Sequence, residues 1–292
     1  MSAGRHLVLG ATGQVGGAIL RHLAERGIPA VGTGFQRAAE ITVDLGDPAA
    51  LHSLLDAIRP GVVFLTGAYT HVDGCEADPA RSRRVNFEGP AAVSAWAAAH
   101  GATVVFYSTD YVFDGQSGPY AEGDPVHPLS RYGADKRAAE EAVLALGARG
   151  LVLRTAWVYS WGTTPKNFMQ RLALNLAAGQ TARVPDDQWG NPTYAPELAR
   201  ATLDLLDAGL SGLIHAAGSR IMTRFSFASL IADSFGLAAD QVVGVSTASL
   251  AQAAPRPLHA GMLVDRLAEV LGWVPRPPEV VLPELAHAHP LA

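Results

Sequence analysis

The stretch Leu7-Val8-Leu9-Gly10-Ala11-Thr12-Gly13-Gln14-Val15-Gly16-Gly17 decides the fold of this chain. An apolar run beginning at Arg5 leads into this glycine-rich turn, and a helical pattern follows from Ala18 to Arg26. In a strand-turn-helix unit of this kind, the glycines allow a tight turn and close approach of a pyrophosphate, which the positive end of the helix attracts. The pattern predicts a dinucleotide-binding unit, with a purely structural turn as the alternative.

The rest of the first 155 residues alternates between apolar runs and helical patterns. The expected strands are Pro29 to Thr33, Gly61 to Thr66, Thr103 to Tyr107 and Gly150 to Arg154. The expected helices are Pro48 to Arg59, capped by Asp47, a long helical stretch from about Asp78 to His100, and a helix capped by Ser130. This alternation predicts an α/β fold, a Rossmann-type doubly wound parallel sheet, over residues 1–155.

The pattern changes after Thr155, where shorter elements are separated by loops rich in aromatic and polar residues. Such loops suit a pocket for a polar ligand that contains a ring, although packing between domains is the competing explanation. We therefore predict that residues 156–292 form mainly a smaller substrate-binding domain, with a segment near 190–215 returning to the sheet.

The end of the second strand bears on the choice of cofactor. An acidic residue there would normally bind the ribose 2′-hydroxyl of NAD, but this chain has Gly34, Phe35 and Gln36, followed by Arg37. An open site beside an arginine favours the 2′-phosphate of NADPH, with NADH as the alternative. Arg37 is equally well explained as a solvated arginine in a loop. Asp44 is predicted to reach the adenine.

Composition excludes several classes of function. The chain has 292 residues, of which 49% are hydrophobic and 17% charged, and a net charge of −5 gives no basic field for nucleic acid. Its single cysteine, Cys75, excludes an internal disulfide and fits a cytoplasmic setting. The glycines and Gln14 interrupt the apolar start, so we expect no export, no membrane span and, for want of a metal-spaced cluster, no metal.

The stretch Tyr132-Gly133-Ala134-Asp135-Lys136 sets a phenol and an ammonium four residues apart on one helix face. A free tyrosine has a pKa of about 10, so a neighbouring cation is expected to lower the pKa of Tyr132. Lys136 is one of only two lysines among 22 basic residues. Since this chain uses arginine for almost every generic positive charge, a lysine here indicates a requirement for an ammonium group.

Polar side chains follow the strand that ends at Tyr107. Ser108-Thr109-Asp110-Tyr111 stands at the carboxyl end of this strand, where ligands bind in open α/β sheets. A hydrogen-bonded strand end is the structural alternative. Asn86, in the long helical stretch, is as well suited to bind a neighbouring loop as to take part in chemistry.

Three ordered motifs, the glycine turn, Ser108-Thr109-Asp110 and Tyr132-x-x-x-Lys136, resemble the extended short-chain dehydrogenase/reductase family. Within that family, further motifs are similar to those of the dTDP-4-dehydrorhamnose reductases, over about residues 5 to 272. These motifs begin at Ala68, Ser108, Arg154, Asn167, Asp187 and Arg256.

The resemblance implies NAD(P)H-dependent reduction of the 4-keto group of a nucleotide-linked 6-deoxy sugar. It implies that Thr109, Tyr132 and Lys136 are catalytic. The implied cofactor-binding residues are Gly10, Thr12, Gly13, Gln14, Val15, Gly16, Arg37, Asp44, Leu45, Gly67, Ala68, Tyr69, Tyr132 and Lys136. The implied substrate-binding residues are Val72, Asp73, Thr109, Tyr111, Trp157, Asn167, Gln188 and Arg256.

Two other functions remain open at this stage. One is a sugar-nucleotide epimerase or dehydratase of the same fold, in which the nicotinamide is recycled. The other is a non-catalytic regulatory subunit similar to that of methionine adenosyltransferase. The expected ligand is a small nucleotide sugar, and the expected assembly is a monomer or a homodimer.

Overall fold

The computed structural model describes residues 5–35, 39–162 and 167–291, and its strands are numbered along the chain. The strands are β1 (His6–Leu9), β2 (Ala30–Gly34), β3 (Ile41–Thr42), β4 (Val62–Leu65), β5 (Thr103–Thr109), β6 (Gly150–Thr155), β7 (Val158–Tyr159), β8 (Ala182–Pro185), β9 (Trp189–Gly190), β10 (Thr193–Tyr194), β11 (Gly212–His215), β12 (Met222–Thr223) and β13 (Val242–Val245). The helices are α1 (Gln14–Glu25), α2 (Pro48–Ile58), α3 (Val72–Ala77), α4 (Pro79–Arg83), α5 (Gly89–His100), α6 (Arg131–Leu144), α7 (Phe168–Ala177), α8 (Ala195–Asp207), α9 (Arg224–Ser234), α10 (Asp265–Leu271) and α11 (Pro278–Ala288).

Seven strands form one parallel sheet in the order β3-β2-β1-β4-β5-β6-β11. Side chains alternate between its faces, as the period of two along a strand requires. Leu7 and Leu9 pack with α2, α5 and α6 on one face, whereas Val8 packs with α1, α8 and α10 on the other. The sheet with these helices, and with α3 and α4, which contact α6, is called the sheet unit below. This architecture confirms the predicted doubly wound α/β fold.

Two predicted helix caps are confirmed. The Asp47 carboxylate accepts hydrogen bonds from the backbone N–H groups of Ala49 and Ala50, both at 3.0 Å. The Ser130 hydroxyl accepts one from Gly133 N at 3.2 Å, which places the start of α6 immediately before Tyr132. Each cap satisfies a donor that the first turn of a helix leaves without an intrahelical partner.

The long helical stretch predicted from about Asp78 to His100 is confirmed, because helical residues run without a break from Pro79 to His100. Asp78 caps its start, and a π-helical turn at Arg84–Glu88, which was not predicted, separates α4 from α5. The wider turn contains Asn86, whose side chain binds the backbone of Tyr69 in the loop after β4. Wider turns of this kind are frequent at functional sites.

The remaining strands form three short pairs, β10 with β7, β12 with β9, and β13 with β8. They pack with α7, α9 and α11 around a separate apolar cluster that includes Tyr159, Met169 and Phe227. These pairs, their helices and the loops between them are called the C-terminal unit below. Strand β11 instead pairs with β6 at the edge of the central sheet. The division into two domains at residue 155 stays a prediction.

Within the described ranges, no helix combines the length and the apolar character that crossing a bilayer requires.

Candidate active site

The turn after β1 is packed too tightly for side chains at two of its glycines. Gly10 has a φ of +96°, and a Cβ placed there would lie 2.5 Å from Gly67 N, so the backbones after β1 and β4 touch. A Cβ on Gly16 would lie 2.6 Å from the Thr66 hydroxyl oxygen. A glycine is therefore required at both positions.

The same turn suits an anionic ligand. Gly13 is the N-cap of α1, no side chain in the described residues caps this end, and the first turn contains no acidic residue. A Cβ on Gly13 would meet only Gly10 O within 4 Å, at 3.2 Å, so the space before the helix is open. Open backbone N–H groups at a helix start bind phosphate. The residues present therefore fit the pyrophosphate of a dinucleotide.

Helix α6 brings the two halves of the Tyr-x-x-x-Lys motif onto one buried face. Tyr132 is 9% exposed and Lys136 is 2% exposed, and Lys136 Nζ lies 3.9 Å from the centroid of the Phe106 ring. Phe106 belongs to β5, so Lys136 packs directly on the sheet. Burial lowers the pKa of Lys136 to about 7, against the opposing charge of Glu140.

Tyr132 has a pKa that is raised, not lowered. Burial is the main cause, and the Asp110 carboxylate adds to it. The predicted lowering of this pKa is therefore wrong for the protein groups by themselves, because desolvation and a nearby negative charge both oppose the phenolate. The raised pKa keeps the proton on Tyr132 at neutral pH, and a proton donor requires that state.

Thr109 lies at the last position of β5, beside Tyr132. Its hydroxyl donates to Asp110 Oδ1 over 2.9 Å and accepts from Tyr111 N over 3.2 Å. Burial raises the pKa of Asp110 to about 6, with the Thr109 hydrogen bond opposing that rise. The Tyr111 ring meets the Tyr132 ring edge-on, with centroids 5.8 Å apart. Thr109, Tyr111 and Tyr132 are thus neighbours at the carboxyl end of β5.

A buried ion pair lies beneath this point. Arg154 of β6 donates from Nε and Nη2 to the two carboxylate oxygens of Glu140, both over 2.8 Å. Arg154 is 2% exposed and Glu140 is fully buried, one helical turn beyond Lys136. The side chain of Arg154 pulls the pKa of Glu140 below its ordinary value, against the effect of burial. This pair fastens α6 to the sheet.

The loop after β4 is held in place by Asn86. Its side-chain oxygen accepts from Tyr69 N over 2.9 Å, and its side-chain nitrogen donates to Tyr69 O over 3.1 Å. Asn86 therefore binds a neighbouring loop, which was one of its two predicted uses. The loop contains Gly67, Ala68 and Tyr69, which the resemblance assigns to the cofactor.

Asp73 and Arg256, both predicted to bind the substrate, form an ion pair with each other. Arg256 donates from Nη1 and Nη2 to Asp73 over 2.7 and 3.0 Å, and Ala254 N also donates to Asp73 over 2.9 Å. The Arg256 hydrogen bond is the main reason why the pKa of Asp73 is lowered. Val72 begins helix α3 beside this pair, and that helix was not predicted. The contact joins the sheet unit to the C-terminal unit across 183 positions.

Gln14 and Asn167 also bind each other, over 2.9 Å from Asn167 Nδ2 to Gln14 Oε1. Asn167 further caps α7 by accepting from Gln170 N. The Asp44 carboxylate accepts from Gly46 N over 2.8 Å, and Leu45 packs in the core. Arg37 lies outside the described residues. For these side chains, ligand binding stays a prediction.

Trp157 occupies an unusual place in the C-terminal unit. Its φ of +44° is a left-handed conformation that a bulky residue rarely adopts. Its indole ring packs against Gly190, where a Cβ would lie only 2.6 Å from Trp157 Cε2. Neighbouring Gln188 donates to the Thr247 hydroxyl over 3.0 Å. The Trp157 ring therefore packs closely against the backbone of Gly190, where no side chain could be accommodated.

Arg224 is a site residue that the sequence analysis missed. Its guanidinium carbon lies 3.8 Å from the centroid of the Trp157 ring, and it interacts electrostatically with Tyr111 and Asp110. The antiparallel pairing of β12 with β9 brings it there. No local pattern around Arg224 distinguishes it from the other arginines, so only that long-range pairing identifies it.

No group of three or more His, Cys, Asp or Glu side chains is arranged to hold a metal ion in the parts of the chain that the structure describes.

Comparison with known proteins gives a consistent result. The family model described as RmlD substrate binding domain matches residues 4–289. A curated relative, dTDP-4-dehydrorhamnose reductase of Mycobacterium tuberculosis, is 38% identical over 266 residues, covering 88% of this chain and 84% of the relative.

Two solved structures are similar over nearly their whole length. The dTDP-4-dehydrorhamnose reductase of Clostridium acetobutylicum has a TM-score of 0.87 and 30% identity, covering 97% of this chain and 99% of that one. The enzyme of the same description from Bacillus anthracis, in complex with NADP, has a TM-score of 0.88 and 26% identity, covering 98% and 99%.

Proposed function

This chain belongs to the dTDP-4-dehydrorhamnose reductase family, and on that premise we propose that it reduces the 4-keto group of a nucleotide-linked 6-deoxy sugar with NADPH. The observation that carries the proposal is that Thr109, Tyr132 and Lys136 lie near the carboxyl end of β5, at the same edge of the parallel sheet as the open glycine turn after β1. A ligand in an open α/β sheet binds at this edge.

Tyr132 is proposed to donate the proton that the carbonyl oxygen gains. Burial and the charge of Asp110 raise its pKa, so the phenol holds this proton at neutral pH. NADPH, when bound, supplies the hydride that the carbonyl carbon gains. A reduction needs both, and a buried tyrosine that keeps its proton suits this direction of reaction.

Thr109 is proposed to donate a second hydrogen bond to the same oxygen. Its hydroxyl donates to Asp110 in the structure, and a rotation about its side-chain bond redirects that donor. Negative charge grows on the oxygen during reduction, so this hydrogen bond strengthens in the transition state. Asp110 keeps the hydroxyl within reach of the site.

Lys136 is proposed to hold the cofactor ribose and to stabilise the phenolate after the proton has left. Its ammonium is buried on Phe106, one turn from Tyr132. A cation at this position favours the charged form of a neighbouring tyrosine. The backbone of the glycine turn and of Gly67 and Ala68 would hold the pyrophosphate and ribose.

A direct assay tests the proposal. We expect the purified protein to consume one NADPH for each dTDP-4-keto-6-deoxy sugar, more efficiently than NADH, with a 4-hydroxy product identified by mass spectrometry and NMR. Product formation without net loss of NADPH would instead indicate an epimerase or a dehydratase. No product from any keto sugar, together with co-purification of a larger enzyme, would indicate a regulatory subunit.

Tyr132→Phe tests the proton donor. We expect kcat to fall by about 10²- to 10⁴-fold, because a positioned general acid contributes that much. The Kd of NADPH should change little, since Phe keeps the ring. Tyr120→Phe is a suitable control, because the Tyr120 hydroxyl donates to Asp114 away from Thr109. Retention of most activity by Tyr132→Phe would overturn the assignment.

The finer properties of the protein are proposals of the same kind. We expect it to act in the cytoplasm, since its one cysteine is buried and suits a reducing compartment. We expect a monomer or a homodimer, which sedimentation of the purified protein would distinguish.

A further inference from the structure

Arg224 differs from the two other arginines of the site, Arg154 and Arg256. Arg154 is paired with Glu140, and Arg256 is paired with Asp73. Across residues 5–35, 39–162 and 167–291, the Arg224 guanidinium has neither a carboxylate partner within ion-pair distance nor a side-chain hydrogen bond. Removing a charge from water without a counter-charge is costly, so a bound anion would complete this site.

The aromatic contacts leave the donors of Arg224 available. Its guanidinium carbon lies 3.8 Å from the centroid of Trp157 and 4.8 Å from that of Phe168. Contact through the faces of a planar guanidinium leaves the in-plane N–H groups for oxygen ligands. The backbone of Arg224 is fixed as well, because its N–H donates to Gln188 O over 2.8 Å.

The surroundings of Arg224 place it at the reaction site. The Asp110 carboxylate attracts its charge, whereas Arg171 opposes it. Burial nevertheless lowers the pKa of Arg224 to about 10, so it stays charged at neutral pH. Asp110 is an incomplete counter-charge, because its own pKa is raised to about 6 and its carboxylate accepts the Thr109 hydrogen bond.

We infer that Arg224, held on Trp157, binds the diphosphate of the nucleotide-sugar substrate. The inference rests on the proposed function, because the diphosphate is the strongly anionic group of that class of substrate. Arginine binds phosphate oxygens through two parallel N–H donors. Arg256 is less suited to this role, since its Nη1 and Nη2 donate to Asp73.

The test compares ligands that differ only in phosphate. Dissociation constants of dTDP and of uncharged thymidine are measured by calorimetry for the wild type and for Arg224→Gln. We expect dTDP to bind about 10- to 100-fold more weakly to the variant, as the loss of hydrogen bonds to a charged group predicts. Thymidine affinity should change less than about 2-fold. The KM of the keto sugar nucleotide should rise with kcat nearly unchanged.

Two further variants and one control complete the experiment. Arg224→Lys keeps the positive charge but lacks the two parallel N–H donors of the guanidinium. It should retain more dTDP affinity than Arg224→Gln. Arg200→Gln is the matched control, because Arg200 also lies on an aromatic ring, 4.2 Å from the centroid of Trp273, but outside the site. Unchanged NADPH affinity shows that each variant is folded. If Arg224→Gln does not fold, Arg224→Met is assessed in the same way.

Each outcome decides the inference. Equal losses of dTDP and thymidine affinity, or no loss of either, would overturn it. A selective loss of dTDP affinity supports it even if the wild type turns over no keto sugar, and that result would count against the proposed function alone.

Discussion

The side of the active site that carries Tyr132 and Lys136 rests on one sheet of seven strands joined by six parallel pairings, whereas the side that carries Trp157 and Arg224 rests on three two-stranded pairs. The first side is fastened by apolar packing and by the fully buried Glu140–Arg154 pair. The second is fastened by polar contacts between distant segments, such as Asp73 with Arg256. The sheet unit is therefore expected to provide folding stability, and the C-terminal unit to provide recognition.

This difference between the two units predicts whether a substitution affects folding stability or substrate binding. A change in the packed interior of the sheet unit should lower the free energy of unfolding, because it disturbs the apolar clusters on the two faces of the sheet. A change at the contacts between the units should affect substrate binding more than folding. Three experiments test this contrast, in order of decreasing effect.

Glu140→Gln should have the largest effect on stability. It leaves Arg154 buried without a negative partner, and breaking a buried ion pair on one side costs about 3–5 kcal/mol. The measurement is urea denaturation at pH 7. Glu141→Gln is the control, because Glu141 is 63% exposed and its pair with Arg137 should contribute under about 1 kcal/mol. Equal losses in the two variants would contradict the view that burial of the Glu140–Arg154 pair stabilises the sheet unit.

Gly16→Ala should lower stability by about 1–3 kcal/mol, because the added Cβ would lie 2.6 Å from the Thr66 hydroxyl oxygen and 2.8 Å from Ala11 Cα. NADPH affinity should fall too, since the turn must shift. Gly17→Ala, one residue later in α1, meets its nearest atom at an ordinary 3.4 Å. That variant should gain about 0.5–1 kcal/mol from helix propensity. Opposite signs of the two effects in thermal denaturation would show that close packing at Gly16 limits the sheet unit, and equal losses would contradict this.

The Asp73–Arg256 pair should show the smallest effect on stability. A double-mutant cycle with Asp73→Asn and Arg256→Gln should give a coupling energy of about 1 kcal/mol, because Asp73 is 32% exposed and solvent screens the pair. The same variants should raise the KM of the keto sugar nucleotide. A coupling as large as the effect of Glu140→Gln would mean that the C-terminal unit also determines folding.

Local patterns predicted most of the sheet unit. Apolar runs identified the strands, and Asp47 and Ser130 identified two helix starts, because caps and periodicity act within a few residues. The π-helical turn around Asn86 was not predicted, since its hydrogen bonds reach Tyr69, 17 positions away. Contacts between residues so far apart in the sequence leave no local pattern that could predict them.

The features of the candidate site also divide into those that follow from local sequence and those that depend on contacts between distant segments. Thr109, Tyr132 and Lys136 were predicted from a strand end and a helix spacing, and their catalytic roles stay a prediction. The structure sets Thr109 beside Tyr132 and buries Lys136 one helical turn further along α6. The lowered pKa expected for Tyr132 was wrong, because burial and the charge of Asp110 depend on neighbours from several elements. Arg224 was missed because the pairing of β12 with β9 alone brings it to Trp157.

The buried position of Lys136 has a practical consequence. Its pKa of about 7 means that a substantial fraction of this side chain is a neutral amine at physiological pH, whereas an exposed lysine is almost fully protonated. A neutral amine is a nucleophile, and Lys166 is the only other lysine in the chain. Because Lys136 is only 2% exposed, small aldehydes that form imines are the reagents expected to reach it, and peptide mass spectrometry after reduction of the imine would locate the label.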